Sequence, residues 1–180
     1  SFKDASYGYP LLSAKDVYSR KIHIPSDCRI ISERDYMEIY KQYHLLPGDV
    51  LLTIVGSIGR TAIIDEKTKD IAFQRSVAII RPKETLSSRY LAFALETTSS
   101  SNQLRKRTNQ SAQGGVYLGS LSKVTIPVPS LSVQERIVSV LDRFDALVND
   151  LSSGLPGELD ARRRQYEYYR DRLLSFPPAV

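Results

Sequence analysis

The C-terminal end constrains this chain most. Between Leu155 and Phe176 the sequence LPGELDARRRQYEYYRDRLLSF sets Leu159, Tyr166, Tyr169, Leu173 and Phe176 on one stripe, with Arg162 in the remaining position. Alternating steps of three and four residues are the spacing of one helix face. So narrow a stripe cannot fold alone. It predicts a helix that needs a second helix against its seam. Upstream, Val133, Ile137, Leu141, Phe144, Val148 and Leu151 step at the same spacing, behind a capping-box pair, Ser132 and Glu135. Gly154 can end that helix and Pro156 can start the next. Two helices are expected, over 132–152 and 157–175.

The rest of the chain alternates strand and helix signals. Ser32 can cap a helix carrying Tyr36, Ile39, Tyr40 and Tyr43 on one face, with Asp35 as a capping-box-like partner. Val50-Leu51-Leu52-Thr53-Ile54-Val55 is nearly all apolar, the mark of a buried strand. Gly56-Ser57-Ile58-Gly59-Arg60 interrupts it, and strand material resumes at 61–64, 71–73 and 76–80. Ser87 or Ser88 caps a helix from about 89 to 97, with Leu91, Ala94 and Leu95 inward. Residues 99–115 are polar and loop-like. Lys123 to Val128 is expected as a strand, with Pro127 and Pro129 marking its edge or end. The fold class expected is α/β (α+β), with a mixed sheet. Residues 1–130 form one domain, and residues 131–180 a two-helix C-terminal arm that pairs with another helical region.

Charge divides the chain at the same place. Residues 1–130 hold 18 Lys and Arg against 12 Asp and Glu, whereas residues 131–180 hold 7 against 8. The positive field lies on the body, which suits a polyanionic partner. A 42% hydrophobic and 25% charged composition belongs to a folded chain rather than a disordered one. A single cysteine, Cys28, excludes an internal disulfide framework and suits a reducing cytoplasm. With His23 and His44 the only histidines, no metal site is expected. The chain begins at Ser1 rather than methionine, so a trimmed N-terminus is expected.

Enzymatic readings find little support. Gly56-x-x-Gly59-Arg60 lacks the Lys-Ser/Thr of a phosphate-binding loop and the spacing of a dinucleotide fingerprint, so a hairpin turn is expected, with Arg60 still able to reach a phosphate. Asp49 with Asp65-Glu66-Lys67 is a distorted version of a metal-dependent nuclease centre. Methyltransferase motifs are absent: the only Pro-Pro is Pro177-Pro178, at the terminus. No catalytic residue and no cofactor are expected. The best nucleic-acid candidate is the stretch from Arg105 to Tyr117. Arg105, Lys106 and Arg107 can neutralise phosphates, and Asn109, Gln110 and Gln113 carry the paired amide donor and acceptor that adenine edges require. Lys15, Arg20 and Lys21 form a second basic group, either a solvated loop or a phosphate-contacting edge. A protein–protein adaptor with an incidental basic face is the alternative reading.

One ordered series of motifs resembles a known family. It comprises Gly8-Tyr9-Pro10-Leu11-Leu12-Ser13-Ala14-Lys15-Asp16-Val17, Leu46-Pro47-Gly48-Asp49-Val50-Leu51-Leu52-Thr53, Gly56-Ser57-Ile58-Gly59-Arg60-Thr61-Ala62, Ile126-Pro127-Val128-Pro129-Ser130-Leu131-Ser132-Val133-Gln134-Glu135 and Leu141-Asp142-Arg143-Phe144-Asp145, closed by the tail to Phe176. The chain resembles one target recognition domain and one conserved helical region of the DNA-specificity (S) subunit of type I restriction–modification systems. That family has two of each per subunit, so a half subunit or a fragment is implied. The opening strand such domains carry is missing. The resemblance further implies sequence-specific binding of double-stranded DNA without catalysis. The implied partners are methyltransferase (M) and restriction (R) subunits, with a homodimer formed through the C-terminal helices.

Overall fold

The computed structural model describes residues 7–41, 43–108, 115–116, 118–150 and 156–176. Strand β1 (Tyr9–Leu12) leads into a 3-10 turn (Ala14–Asp16), the hairpin β2 (Val17–Tyr18) and β3 (Lys21–Ile22), strand β4 (Arg29–Ile31) and helix α1 (Glu33–Ile39). Strands β5 (Val50–Thr53), β6 (Thr61–Ile63), β7 (Ala72–Phe73) and β8 (Val77–Ile80) follow. Helices α2 (Ser88–Leu95), α3 (Thr98–Thr108), α4 (Leu118–Leu121), α5 (Leu131–Asp150) and α6 (Pro156–Leu173) complete the chain.

Two three-stranded sheets carry the body. One has the order β4-β1-β7, antiparallel on one side and parallel on the other, so it is mixed. The other, β6-β5-β8, is antiparallel throughout. All four residues of its central strand β5 are buried, which is why that run is apolar on both faces. Helix α1 closes the first sheet. Ser32 caps it by accepting the Asp35 N–H at 3.2 Å. The buried Tyr40 hydroxyl donates to the Ile71 carbonyl at 3.1 Å and accepts the Phe73 N–H at 3.2 Å. It therefore fixes the strand it faces.

Helix α2 is the middle layer. Every side chain from Tyr90 to Leu95 is buried, as in a helix packed on both sides. Leu91, Ala92 and Leu95 join Val50, Leu52 and Leu104 beneath the second sheet. Tyr90, Phe93 and Ala94 face the other way, onto Ile137 and Leu141 of α5 and Tyr166 and Leu174 of the α6 region. Each large side chain buried here contributes about 2 kcal/mol of transfer free energy. Body and arm therefore share a core. The joint is locked by Gln134, fully buried on the first turns of α5. Its side chain accepts the Ser87 N–H at 2.8 Å and donates to the Thr85 and Pro129 carbonyls at 2.9 and 2.8 Å.

Four expectations need correcting. Residues 98–108 are helix rather than polar loop, because Leu104 is fully buried and anchors α3 beneath the sheet. Residues 123–128 form no strand: Pro127 and Pro129 cannot donate to a ladder, and Gln103 holds the backbone instead, through the Thr125 N–H (3.0 Å) and carbonyl (2.9 Å). Helix α5 starts at Leu131, so Ser130 rather than Ser132 stands at the cap position. The stripe on α6 also has a partner within its own chain. Tyr166 is buried against α2, Leu173 is partly buried in the same cluster, and Tyr169 stacks on Phe144 of α5 at 5.8 Å. Phe176 and Tyr169 stay 38% and 40% exposed, so only part of the stripe remains open to a further partner. The Leu159 side chain lies outside the described residues.

Candidate nucleic-acid interface

The strand register gathers several polar and basic residues at one end of the two sheets. Leu12 ends β1 beside Phe73, the end of the parallel strand β7. The Gln74 N–H continues this ladder to the Leu12 carbonyl at 2.8 Å, and the Ala14 N–H donates to the Ser76 hydroxyl at 3.1 Å. In the second sheet Thr53, the end of β5, faces Val77, the start of β8. The Ile54 N–H reaches the Ser76 carbonyl at 2.9 Å, and the Thr53 N–H reaches the Arg60 carbonyl at 2.9 Å. Lys15, Arg60, Gln74 and Arg75 therefore emerge along one edge, and all four are exposed. The edge continues through an isolated bridge between Val55 and Gly115, where the Val116 N–H donates to the Ile54 carbonyl at 2.9 Å. A Cβ on Gly115 would lie 2.8 Å from Val55 Cγ2, so any larger residue there would push the Val55 side chain aside.

The Gly56–Gly59 stretch is the expected hairpin between β5 and β6. Both glycines have positive φ (74° and 94°), and the Thr53 hydroxyl accepts the Arg60 N–H at 2.9 Å while donating to the Ser57 carbonyl. Helix α3 runs beside this hairpin, with Leu104 and Ser101 nearest to Gly59. Arg105 and Lys106 in its last turn are exposed. Arg107 is committed locally: it donates to the Gln103 carbonyl at 2.9 Å and the Lys123 carbonyl at 2.8 Å. Asn109, Gln110 and Gln113 lie outside the described residues.

The other basic group divides. Lys21 is exposed at the turn end of the β2–β3 ribbon, away from Lys15. Arg20 points inward, against the reading of it as a phosphate contact. Its guanidinium pairs with Glu96 at 2.6 Å and with Asp145 of α5, and lies over the Phe93 ring at 4.8 Å. Tyr166 of α6 is 5.9 Å away. Burial works against its charge, but Glu96 and Asp145 outweigh that, and its pKa is raised. Ser19 and Arg20 both take positive φ (52° and 53°) in a two-residue turn where glycine or asparagine is usual. That strain, about 1 kcal/mol per residue, is offset by what the Arg20 side chain reaches. A single cation thus joins a carboxylate of the body, Glu96, to one of the arm, Asp145.

The Tyr166 hydroxyl beside this cluster is buried and has no hydrogen-bond partner among the described residues. Burial pushes its pKa up to about 12. Tyr166→Phe should therefore stabilise the chain by about 1 kcal/mol at neutral pH, since it removes an unsatisfied polar group. Its advantage should grow as pH rises above about 10, where an unfolded tyrosine ionises but the folded one still holds its proton. Urea denaturation of both proteins at neutral and alkaline pH checks both parts.

The carboxylates of the nuclease reading are otherwise engaged. Asp49 is buried and bound in two places by Arg81, with both contacts at 2.8 Å, and it also accepts the Leu46 N–H at 2.9 Å. Asp65 sits in an exposed turn and accepts from Thr68 and Lys67. Among the described residues no three His, Cys, Asp or Glu side chains are grouped as metal ligands would be. No helix among them is long and apolar enough to cross a membrane.

Gln74 and Arg75 share this edge although the sequence reading did not single them out. They interrupt two apolar runs, Ile71-Ala72-Phe73 and Val77-Ala78-Ile79-Ile80, and that interruption was the available signal.

Comparison with known proteins bears on what this edge meets. A family model described as the type I restriction modification DNA specificity domain matches residues 2–161. A type I restriction enzyme specificity subunit of Escherichia coli is 31% identical over 157 residues, which cover 81% of this chain and 38% of that protein. The crystal structure of the HsdS subunit from Thermoanaerobacter tengcongensis superposes with a TM-score of 0.59 at 21% identity, over 96% of this chain and 39% of that one. A chain from a structure of a type I R-M system gives a TM-score of 0.58 at 19% identity, over 96% of this chain and 40% of that one. This chain thus spans about two fifths of the length of these relatives.

Proposed function

Because the chain belongs to the family of type I restriction–modification DNA specificity domains, we propose that it is a non-catalytic DNA-reading module. It binds one half-site in double-stranded DNA and positions methyltransferase and restriction subunits around it, in the cytoplasm. Residues 1–130 are the recognition domain and residues 131–180 the helical spacer. The observation that carries this reading is the gathering of Lys15, Arg60 and Arg75 along one edge, next to the exposed Arg105 and Lys106 of α3. Cations on one face neutralise phosphates and hold the module in register, while amide and arginine side chains among them can meet base edges. Lys21 and the 109–113 amides belong to the same proposed contact set, and Arg20 does not. The test is duplex binding by the full chain against salt. The logarithm of affinity should fall linearly with the logarithm of salt concentration, with a slope reflecting several phosphate contacts. Binding without a salt slope would favour the adaptor reading.

One module distinguishes few base pairs, at about 1–3 kcal/mol each. A useful specificity ratio requires two modules held at a fixed separation. We propose that two copies pair their α5–α6 hairpins about a two-fold axis, through the exposed part of the α6 stripe. Tyr169 on α6 and Phe176 just beyond its end support this as half-exposed aromatic side chains. Tyr169→Asp with Phe176→Asp should convert a dimer to monomers in sedimentation. A dimer that persists would place the interface elsewhere.

A further inference from the structure

Gln74 and Arg75 cross from the first sheet to the second, and the backbone around them is held from both. The Gln74 N–H is bound to the Leu12 carbonyl at 2.8 Å, the Val77 N–H to the Gln74 carbonyl at 3.0 Å, the Ile54 N–H to the Ser76 carbonyl at 2.9 Å, and the Ala14 N–H to the Ser76 hydroxyl at 3.1 Å. Phe73 and Val77, on either side, are buried. The two side chains are nonetheless exposed and have no hydrogen-bond or ion-pair partner among the described residues. Nothing in the backbone calls for them. Neither residue has the positive φ that would require glycine or asparagine, and neither is a favoured turn former. A turn whose backbone is held in place and which carries two long, unpartnered polar side chains suits recognition, because only side-chain freedom remains to be lost on binding.

Their chemistry narrows what is recognised. A glutamine amide presents one donor and one acceptor side by side, which matches N6 and N7 of adenine; an arginine fork matches O6 and N7 of guanine. Arg105 and Lys106, by contrast, are cations on an open helix turn and are suited to phosphates. We propose that the Gln74–Arg75 turn is a base-reading element, with Gln74 directed at an adenine edge and Arg75 at a guanine edge in the major groove. This rests on the DNA-reading function proposed above.

The test compares the full-length wild type with Gln74→Ala and Arg75→Ala in competition assays, using duplexes substituted one base pair at a time across the preferred half-site. Gln74→Ala should lose roughly tenfold discrimination at a single A·T pair and keep it elsewhere. Arg75→Ala should do the same at a G·C pair. Both variants should match the wild type in denaturation midpoint, since neither side chain is buried. Wild-type preferences retained at every position in both variants would overturn the proposal. A uniform loss for Arg75→Ala, with a shallower salt dependence, would make Arg75 a phosphate contact and overturn its half. If the wild type itself shows no sequence preference, the DNA-reading function fails first and the turn's role with it.

Discussion

Arg20→Met should destabilise the chain by about 3 kcal/mol, the lower end of what removing one partner of a buried ion pair costs. Methionine keeps an unbranched apolar stem but removes the charge, both ion pairs and the guanidinium that lies over Phe93. Glu96 and Asp145 would then face each other, with side-chain exposures of only 15% and 25%. Glu96 would retain the Thr61 hydroxyl at 2.7 Å and the Thr61 N–H at 3.2 Å, which satisfy part of one carboxylate but neutralise nothing. Adding Glu96→Gln should recover more than about 1 kcal/mol, since residues in one network are not additive. The duplex salt slope of Arg20→Met should match the wild type, because its guanidinium is turned inward onto Glu96 and Asp145. Urea denaturation of the single and double variants tests the coupling. A loss below about 1 kcal/mol would mean that the cluster is screened like a surface pair.

Arg105→Glu with Lys106→Glu should have the largest effect on binding. Both side chains are exposed on α3, so the fold should be unaffected, whereas the same change at Arg107 would break its bonds to the Gln103 and Lys123 carbonyls. Affinity should fall at least roughly tenfold at low salt, by a similar factor for preferred and random duplexes. The salt slope should fall by about two, one for each phosphate that is no longer neutralised. Anisotropy titrations over a series of salt concentrations measure both quantities. An unchanged slope would remove α3 from the interface.

Much of the architecture was legible because periodicity reports burial. The continuous apolar run at 50–55 became a central strand, the tyrosine stripe behind Ser32 became α1, and Gly56–Gly59 became the hairpin. The errors arose where tertiary contacts overrode local pattern. Thr98–Thr108 is polar throughout except for Leu104, and it is held as a helix by that buried leucine, by the buried Ser100 hydroxyl bonded to the Ala94 carbonyl and by Gln103's bonds to Thr125. The stripe on α6 packs on the neighbouring α5, through Tyr169 and Phe144, and reaches α2, which lies far back in sequence and is buried on both sides rather than on one inward face. Among the candidate site residues, exposure is what separated Lys15 and Arg60 from Arg20. Charge and position alone cannot show whether an arginine points to solvent or to a pair of carboxylates. Gln74 and Arg75 stayed hidden because two sheets must be assembled before their turn lies beside Lys15.

Selection of bound duplexes from a random pool by the full chain tests the central claim most directly. A short motif enriched to a fixed half-site, with enrichment lost in the Gln74→Ala and Arg75→Ala variants at separate positions, is the predicted result. A pool that stays random while binding remains salt-dependent would show a basic surface without sequence recognition, and would contradict it.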